Sequence, residues 1–282
     1  MMDEVDTGEE DRVADLVMSG EVRFLSPSFR AASDEGGQAF ELKFLIAEEQ
    51  SRDVRSWARA HLLPDPHGDP ALCGAYLTHS LYSDTLAGDG YARRAGYQRR
   101  KYRVRRYGNA DWVSLERKTR VGRRVAKRRV VVQEADLQRL EMESGGNAAP
   151  SGDPKTGTNA GGDGWAGSWF ARRLRKSKLL PRCQVTYLRE AYAGMYEGPV
   201  RLTMDREVYG QPQYEWRFVE TEAAVPLLPG QVILEFKYRA QLPTIFKQLI
   251  SDFDLLPAAV SKYRRCRDAW DRQELSRETE DA

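Results

Sequence analysis

Apolar and charged residues alternate along most of this chain, and only short stretches carry the three-to-four-residue spacing of a helix. Period-two alternation predicts strands at residues 40–46, 78–83, 99–107, 112–119 and 128–132. It predicts further strands at 181–191, 200–206, 215–219 and 231–239. Helical spacing is expected at 9–18, 48–62, 136–142, 169–180, 244–253 and 262–270. Pro64, Pro66, Gly68 and Pro70 mark a loop after the second of these helices. No internal repeat is visible. Many strands with few helices between them predict an α+β protein built on an antiparallel sheet, closed into a barrel with helices packed outside.

The positions of the charges within the strands sharpen this expectation. Successive strand side chains point to opposite faces. Lys101, Arg103 and Arg105 therefore share one face, as do Glu41 and Lys43, Glu116 and Lys118, and Glu235 and Lys237. Arg189 falls with Tyr187, and Arg201 with Thr203 and Asp205. A sheet with one solvated face is the simplest account of any single strand. Six strands that repeat Arg or Lys are better explained by a barrel with a cationic interior. Adjacent like charges such as Arg103 and Arg105 are costly unless an anion lies between them.

Composition narrows the function. The chain has 282 residues, 41% hydrophobic and 30% charged, which is a globular balance. No apolar run is long enough for a membrane helix and the start lacks an apolar leader, so a cytoplasmic location is expected. Cys73, Cys183 and Cys266 form neither a disulfide framework nor a zinc pattern, and His61, His67 and His79 have no metal-ligand spacing. The net charge of +2 hides segregation: between residues 93 and 129 sixteen Lys or Arg face only Asp111 and Glu116. Such a field implies a polyanionic partner. Residues 1–35 read as an acidic arm and 36–271 as one domain. A Gly/Ala/Ser/Asn-rich insertion interrupts the domain at 144–164, and 272–282 read as a disordered acidic tail. The insertion holds no Gly-x4-Gly-Lys-Ser/Thr, which excludes a P-loop. Arg172, Arg173, Arg175, Lys176 and Lys178 form a basic helix face.

Eight short segments, taken in order, resemble the polyphosphate polymerases of the vacuolar transporter chaperone (VTC) family, within the triphosphate tunnel metalloenzyme superfamily. They are Phe-Glu-Leu-Lys-Phe (40–44), Ser-Leu-Tyr-Ser-Asp (80–84), Lys-Tyr-Arg-Val-Arg-Arg-Tyr (101–107) and Leu-Glu-Arg-Lys-Thr (115–119). Tyr-Leu-Arg-Glu-Ala-Tyr (187–192), Arg-Leu-Thr-Met-Asp (201–205), Ile-Leu-Glu-Phe-Lys-Tyr (233–238) and Ser-Lys-Tyr (261–263) complete the series. The resemblance implies an eight-stranded antiparallel barrel forming a tunnel. It also implies transfer of the γ-phosphate of ATP to a growing polyphosphate chain, assisted by Mn²⁺ or Mg²⁺.

On that resemblance Arg103, Arg105, Lys118, Arg189 and Arg201 are the expected catalytic cations. Lys43, Lys101, Lys127, Lys237, Ser261 and Lys262 join them in holding phosphate, and Glu235 is the expected metal ligand. ATP and polyphosphate are the expected partners, with no nucleic acid. Where the superfamily begins Glu-x-Glu-x-Lys, this chain has Ala39, leaving Glu41 and Lys43. Loss of that carboxylate favours a polymerase over one alternative, a tunnel-fold triphosphatase or polyphosphatase; a non-catalytic polyanion-binding module, for polyphosphate or RNA, is the other.

Overall fold

The computed structural model describes residues 39–122, 124–145, 164–194, 200–220 and 223–280. The expected arm, its helix at 9–18 and almost all of the insertion lie outside the described residues.

Eight strands form the body: β1 (Ala39–Ala47), β2 (Tyr76–Asp84), β3 (Arg100–Tyr107) and β4 (Trp112–Val121), then β5 (Arg124–Gln133), β6 (Leu180–Ala193), β7 (Arg201–Pro212) and β8 (Gln231–Tyr238). They pair antiparallel in the order β6-β2-β3-β4-β5-β1-β8-β7, and β7 pairs back onto β6 to close the barrel. The two-residue strands Leu63–Pro64 and Val225–Pro226 add to β6 and β7.

The alternation separates two environments. Outward-facing apolar residues are covered by helices. Phe44, Leu202, Leu234 and Phe236 meet Val54 and Ala58 of α1 (Glu48–His61), while Phe236 stacks on Phe246 at 4.3 Å. Phe246 belongs to helix Thr244–Asp252. Val104 and Leu115 are covered by Leu140 of α2 (Leu137–Gly145) and by Phe170 and Leu174 of α3 (Ser168–Lys176). Helix Thr244–Asp252 is then α4. Helix α5 (Lys262–Glu280) lays Tyr263 and Cys266 against Cys183, Val185 and Val208. Residues 257–261 lead into α5 along β1, where the Ala258 N–H donates to the Lys43 carbonyl at 2.7 Å.

Four expectations differ from what is observed. Residues 215–219 do not form a strand, because side-chain amides take the hydrogen bonds a partner strand would make. Gln184 bonds both the N–H and the carbonyl of Val219, while Gln213 and Gln211 bind the backbone of 214–217 and 220. β7 runs beyond 206 to Pro212, past Glu207 at φ 50°. α3 stops at Lys176, and the chain is already in β6 by Leu180. α5 continues to Glu280, through most of the segment expected to be a disordered tail.

Candidate functional site

The barrel encloses a cavity of about 780 Å³. Thirteen Lys or Arg side chains line it against two carboxylates, Glu41 and Glu235. Lys43 comes from β1, Lys101, Arg103 and Arg105 from β3, Lys118 from β4, Arg189 from β6, Lys237 from β8 and Lys262 from α5. Arg93, Arg99, Arg100, Arg120 and Arg264 are the remaining cations of the lining. The imbalance makes the lumen a site for an anion carrying several charges.

The register explains how so many cations share one space. Arg103 lies opposite Glu116, which lies opposite Arg129 on the far side. Glu116 is fully buried. Its Oε2 takes hydrogen bonds from Arg103 Nε at 2.7 Å and Nη2 at 2.6 Å, and its Oε1 meets Lys127 Nζ at 3.1 Å. Arg189 lies opposite Asp205 and donates to both its oxygens at 2.6 and 2.7 Å; Lys262 also donates to Asp205. Lys43 lies opposite Glu235 and bonds it at 2.9 Å, with Lys237 Nζ 3.4 Å from the other oxygen. Lys118 bonds Glu41 at 2.7 Å. Of the eight cations that Lys43, Lys101, Arg103, Arg105, Lys118, Arg189, Lys237 and Lys262 contribute, Arg105 and Lys101 form no ion pair with a carboxylate among the described residues. Arg105, 3% exposed, donates instead to Ser80 Oγ at 3.2 Å and Tyr187 Oη at 2.8 Å, and Lys101 donates to Ser261 Oγ at 3.1 Å.

The proton affinities follow. Burial raises the carboxyls of Glu116, Asp205 and Glu235, but the cations around them overcome it and hold all three well below the usual range. Lys101 drops to about 8, from burial and then from Lys43, Lys118 and Arg103. Lys237 also drops to about 8 through burial, which Glu235 only partly offsets. Burial raises the Tyr187 phenol, yet Arg105, Arg189 and Lys262 bring it down to about 8. Burial thus lowers the proton affinity of Lys101, Lys118, Lys237 and Lys262, whereas beside Glu235 and Glu41 that of Lys43 is raised despite burial.

Of the expected site residues, Lys43, Lys101, Arg103, Arg105, Lys118, Arg189, Glu235, Lys237, Ser261 and Lys262 meet around the cavity. Lys127 and Arg201 are not in its lining. Lys127 pairs with Glu116, and Arg201 donates to Asp65 at 2.7 Å and to the Tyr76 hydroxyl at 3.2 Å. The buried counter-ions Glu116 and Asp205, and the phenol of Tyr187, carry roles the pattern alone did not assign. Their signal was present as acids at period two among the cations, but it is readable only once the register is known.

Asp84 fixes the mouth. Its carboxylate accepts from the backbone N–H groups of Thr85, Gly90 and Tyr91 and from the Tyr263 hydroxyl. Loop 85–99 is thereby tied to the helix that carries Lys262.

A divalent cation is the cofactor implied above, and the donors fit one. Glu235 is 3% exposed and its Oε1 accepts no hydrogen bond, while Glu41 stands beside it on the adjoining strand. Carboxylate oxygens suit Mg²⁺ and Mn²⁺. No group of three or more His, Cys, Asp or Glu gathers to hold a metal among the described residues. The remaining ligands would be phosphate oxygens, the usual arrangement for these ions.

A closed antiparallel barrel around a cation-lined lumen, with helices on its outer face, is a triphosphate tunnel fold. More narrowly, the chain belongs to the VTC domain family, whose model matches residues 38–270. Among solved structures, a Hippeastrum protein described as having a dominant triphosphatase activity is 14% identical. The match covers 83% of this chain and 96% of that one, with a TM-score of 0.45. A Pyrococcus horikoshii protein is 14% identical over 80% of this chain and 96% of its own, TM-score 0.42. A Vibrio parahaemolyticus protein is 10% identical over 82% of this chain and 98% of its own, TM-score 0.43. These likenesses are loose, and the fold assignment rests on the strand pairing itself. No curated protein matches the chain. No helix among the described residues is long and apolar enough to cross a membrane.

Proposed function

We propose that this chain is an ATP-dependent polyphosphate polymerase. A terminal phosphate oxygen of a chain held in the lumen attacks the γ-phosphorus of ATP. The bond from that phosphorus to the β–γ bridging oxygen breaks, ADP leaves, and the chain is one phosphate longer. The observation that carries the reading is the lumen's excess of cations, above all Arg105 and Lys101, which face the cavity without a carboxylate.

Phosphoryl transfer demands positioning and charge neutralisation rather than a protein nucleophile. Arg103 and Arg189 are oriented by Glu116 and Asp205, so their planar forks are fixed before substrate arrives. Arg105 has its donors held by neutral hydroxyls, which a phosphate oxygen can displace without breaking an ion pair. Lys43, Lys118 and Lys237 supply point charges around the Glu235 carboxylate. Mn²⁺ or Mg²⁺, when bound by Glu235 with Glu41 beside it, supplies neutralisation of the transferring phosphoryl group.

Hydrolysis is helped by a free base for water. Glu235 is engaged by Lys43 and Lys237, and Glu41 by Lys118, so neither carboxylate of the lining stands free for that task. This supports polymerisation over the triphosphatase reading.

The test is incubation of purified protein with ATP and Mn²⁺ or Mg²⁺, with products resolved on gels stained for polyphosphate. A ladder made by wild type and lost in Glu235→Gln and Arg103→Ala supports the proposal. Orthophosphate release without chain growth identifies a hydrolase. Binding of polyphosphate with neither product identifies a binding module.

A further inference from the structure

Helix α3 buries Phe170 and Leu174 and exposes Arg172, Arg173, Arg175 and Lys176. None of the four forms an ion pair with an acid among the described residues. Cations in a last helical turn complement the helix dipole, which accounts for part of this pattern. It does not account for Lys178, which lies beyond the helix with φ at 51°. The Leu179 N–H returns to the Leu174 carbonyl at 2.9 Å, so Lys178 occupies the left-handed position that glycine fills most cheaply. An exposed lysine held in that conformation points to a use for its side chain.

The same geometry recurs where the lumen opens. Arg93, exposed and lining the cavity, has φ at 55°. The two places are joined. The Tyr97 hydroxyl donates to the Ser177 carbonyl at 3.3 Å, and Tyr97, Arg100, Ser177 and Leu179 share a small cavity of about 30 Å³. Tyr97 and Arg100 also line the main cavity. A basic path therefore runs from the lumen past Arg93 and Arg100, over Ser177, to Lys178, Lys176 and Arg175. No acid among the described residues forms an ion pair with the five cations of the path, Arg93, Arg100, Arg175, Lys176 and Lys178.

We propose that this path is an outer binding track for linear polyphosphate, holding the part of a chain that projects from the lumen. The proposal rests on the lumen reading above and extends it outside the barrel. A triphosphate would be held by the lumen alone; only a longer chain would reach α3. A flexible polyanion with a charge on every unit matches a line of exposed cations better than a compact ligand does.

The experiment compares wild type with Lys178→Gly and with the triple variant Arg175→Gln, Lys176→Gln, Lys178→Gly. Lys178→Gly removes a charge while relaxing the backbone, so weaker binding by that variant does not come from unfolding. The probes are tripolyphosphate, long-chain polyphosphate and single-stranded RNA, each titrated at several salt concentrations. The triple variant should bind long-chain polyphosphate roughly tenfold more weakly, with a salt slope flatter by about 2, as expected when three ion contacts are lost from a single-stranded polyanion. Its tripolyphosphate affinity should be unchanged. Unaltered long-chain affinity and slope would overturn the track. Loss of tripolyphosphate binding as well would overturn its separateness from the lumen. RNA bound as tightly as polyphosphate, and lost in the same variant, would overturn the ligand assignment. Wild type that binds long chains but not tripolyphosphate would refute the lumen reading and leave the track standing.

Discussion

Glu116 offers the most direct test of how the lumen is held together. It is fully buried on β4, and Arg103, Lys127 and Arg129 converge on it at 2.6, 3.1 and 4.0 Å. Glu116→Gln keeps the shape and removes the charge, leaving three cations facing one another. Removing one partner of a buried ion pair costs about 3–5 kcal/mol. Arg103, Lys127 and Arg129 keep 14%, 22% and 13% of their side-chain surface open to solvent, so water screens part of the repulsion and the lower figure applies. For a domain of this size each kcal/mol shifts the melting temperature by about 2–4 °C, which gives a loss of roughly 6–12 °C from about 3 kcal/mol. Tripolyphosphate should then raise the melting temperature of the variant more than that of wild type, because it supplies the missing negative charge. Thermal unfolding followed by circular dichroism, with and without tripolyphosphate, reads both quantities. A loss under about 2 °C, less than the shift for 1 kcal/mol, would refute the ion-pair argument. A ligand-induced rise no larger than in wild type would refute the claim that Arg103, freed of its carboxylate, faces the anion.

Tripolyphosphate affinity should fall between pH 7 and 9. Lys101 and Lys237 lose protons near 8 and the Tyr187 phenol gains negative charge there, so all three changes oppose anion binding. The fall reaches up to about tenfold per pH unit above 8 for each lysine the anion needs protonated, and calorimetry in two buffers of different ionisation heat should show proton uptake; a flat profile contradicts the assignment. Glu235→Gln should abolish the turnover that Mn²⁺ or Mg²⁺ supports while metal-free tripolyphosphate binding persists, measurable by titration with and without a chelator. Gly210→Ala places a Cβ 2.7 Å from Cys266 Sγ and 2.8 Å from Leu227 Cδ1, so α5 must shift. That overpacking should cost about 1–3 kcal/mol, and tripolyphosphate affinity should drop because Lys262 rides on the same helix. Phe236→Ala, which removes the ring stacked on Phe246, should cost about 3–5 kcal/mol in urea unfolding without altering anion affinity at temperatures where the variant is folded.

The strands were legible where one face is apolar and the other charged, as in Lys101-Tyr102-Arg103-Val104-Arg105. There the period alone says which side is core. It failed for Glu215-Trp216-Arg217-Phe218-Val219, which alternates equally well but is held by glutamine side chains as a loop. It also stopped short on β7, where Tyr209-Gly210-Gln211-Pro212 has no alternation and pairing with β6 and with Val225–Pro226 sustains the strand. The site was legible as a set of cations but not as a balanced network. Glu116 and Asp205 read as scattered acids until pairing sets them opposite Arg103 and Arg189. Arg201 shares the period of the lumenal cations, yet its place on the strand takes it to Asp65 and Tyr76, a distinction that only the stagger of the closed barrel makes.

β1 pairs with β8, and Lys43 and Glu235 are 192 positions apart in the chain. During synthesis at about 5–20 residues per second, the first strand waits roughly 10–40 s for its partner to be made. Through that interval β1 is an open edge, the kind of surface on which nascent chains join one another. Glu41 and Lys43 face inward on that edge, and inward charges are a means of discouraging strand addition by a stranger. The residues that line the finished lumen thus also guard the chain while it is still being born.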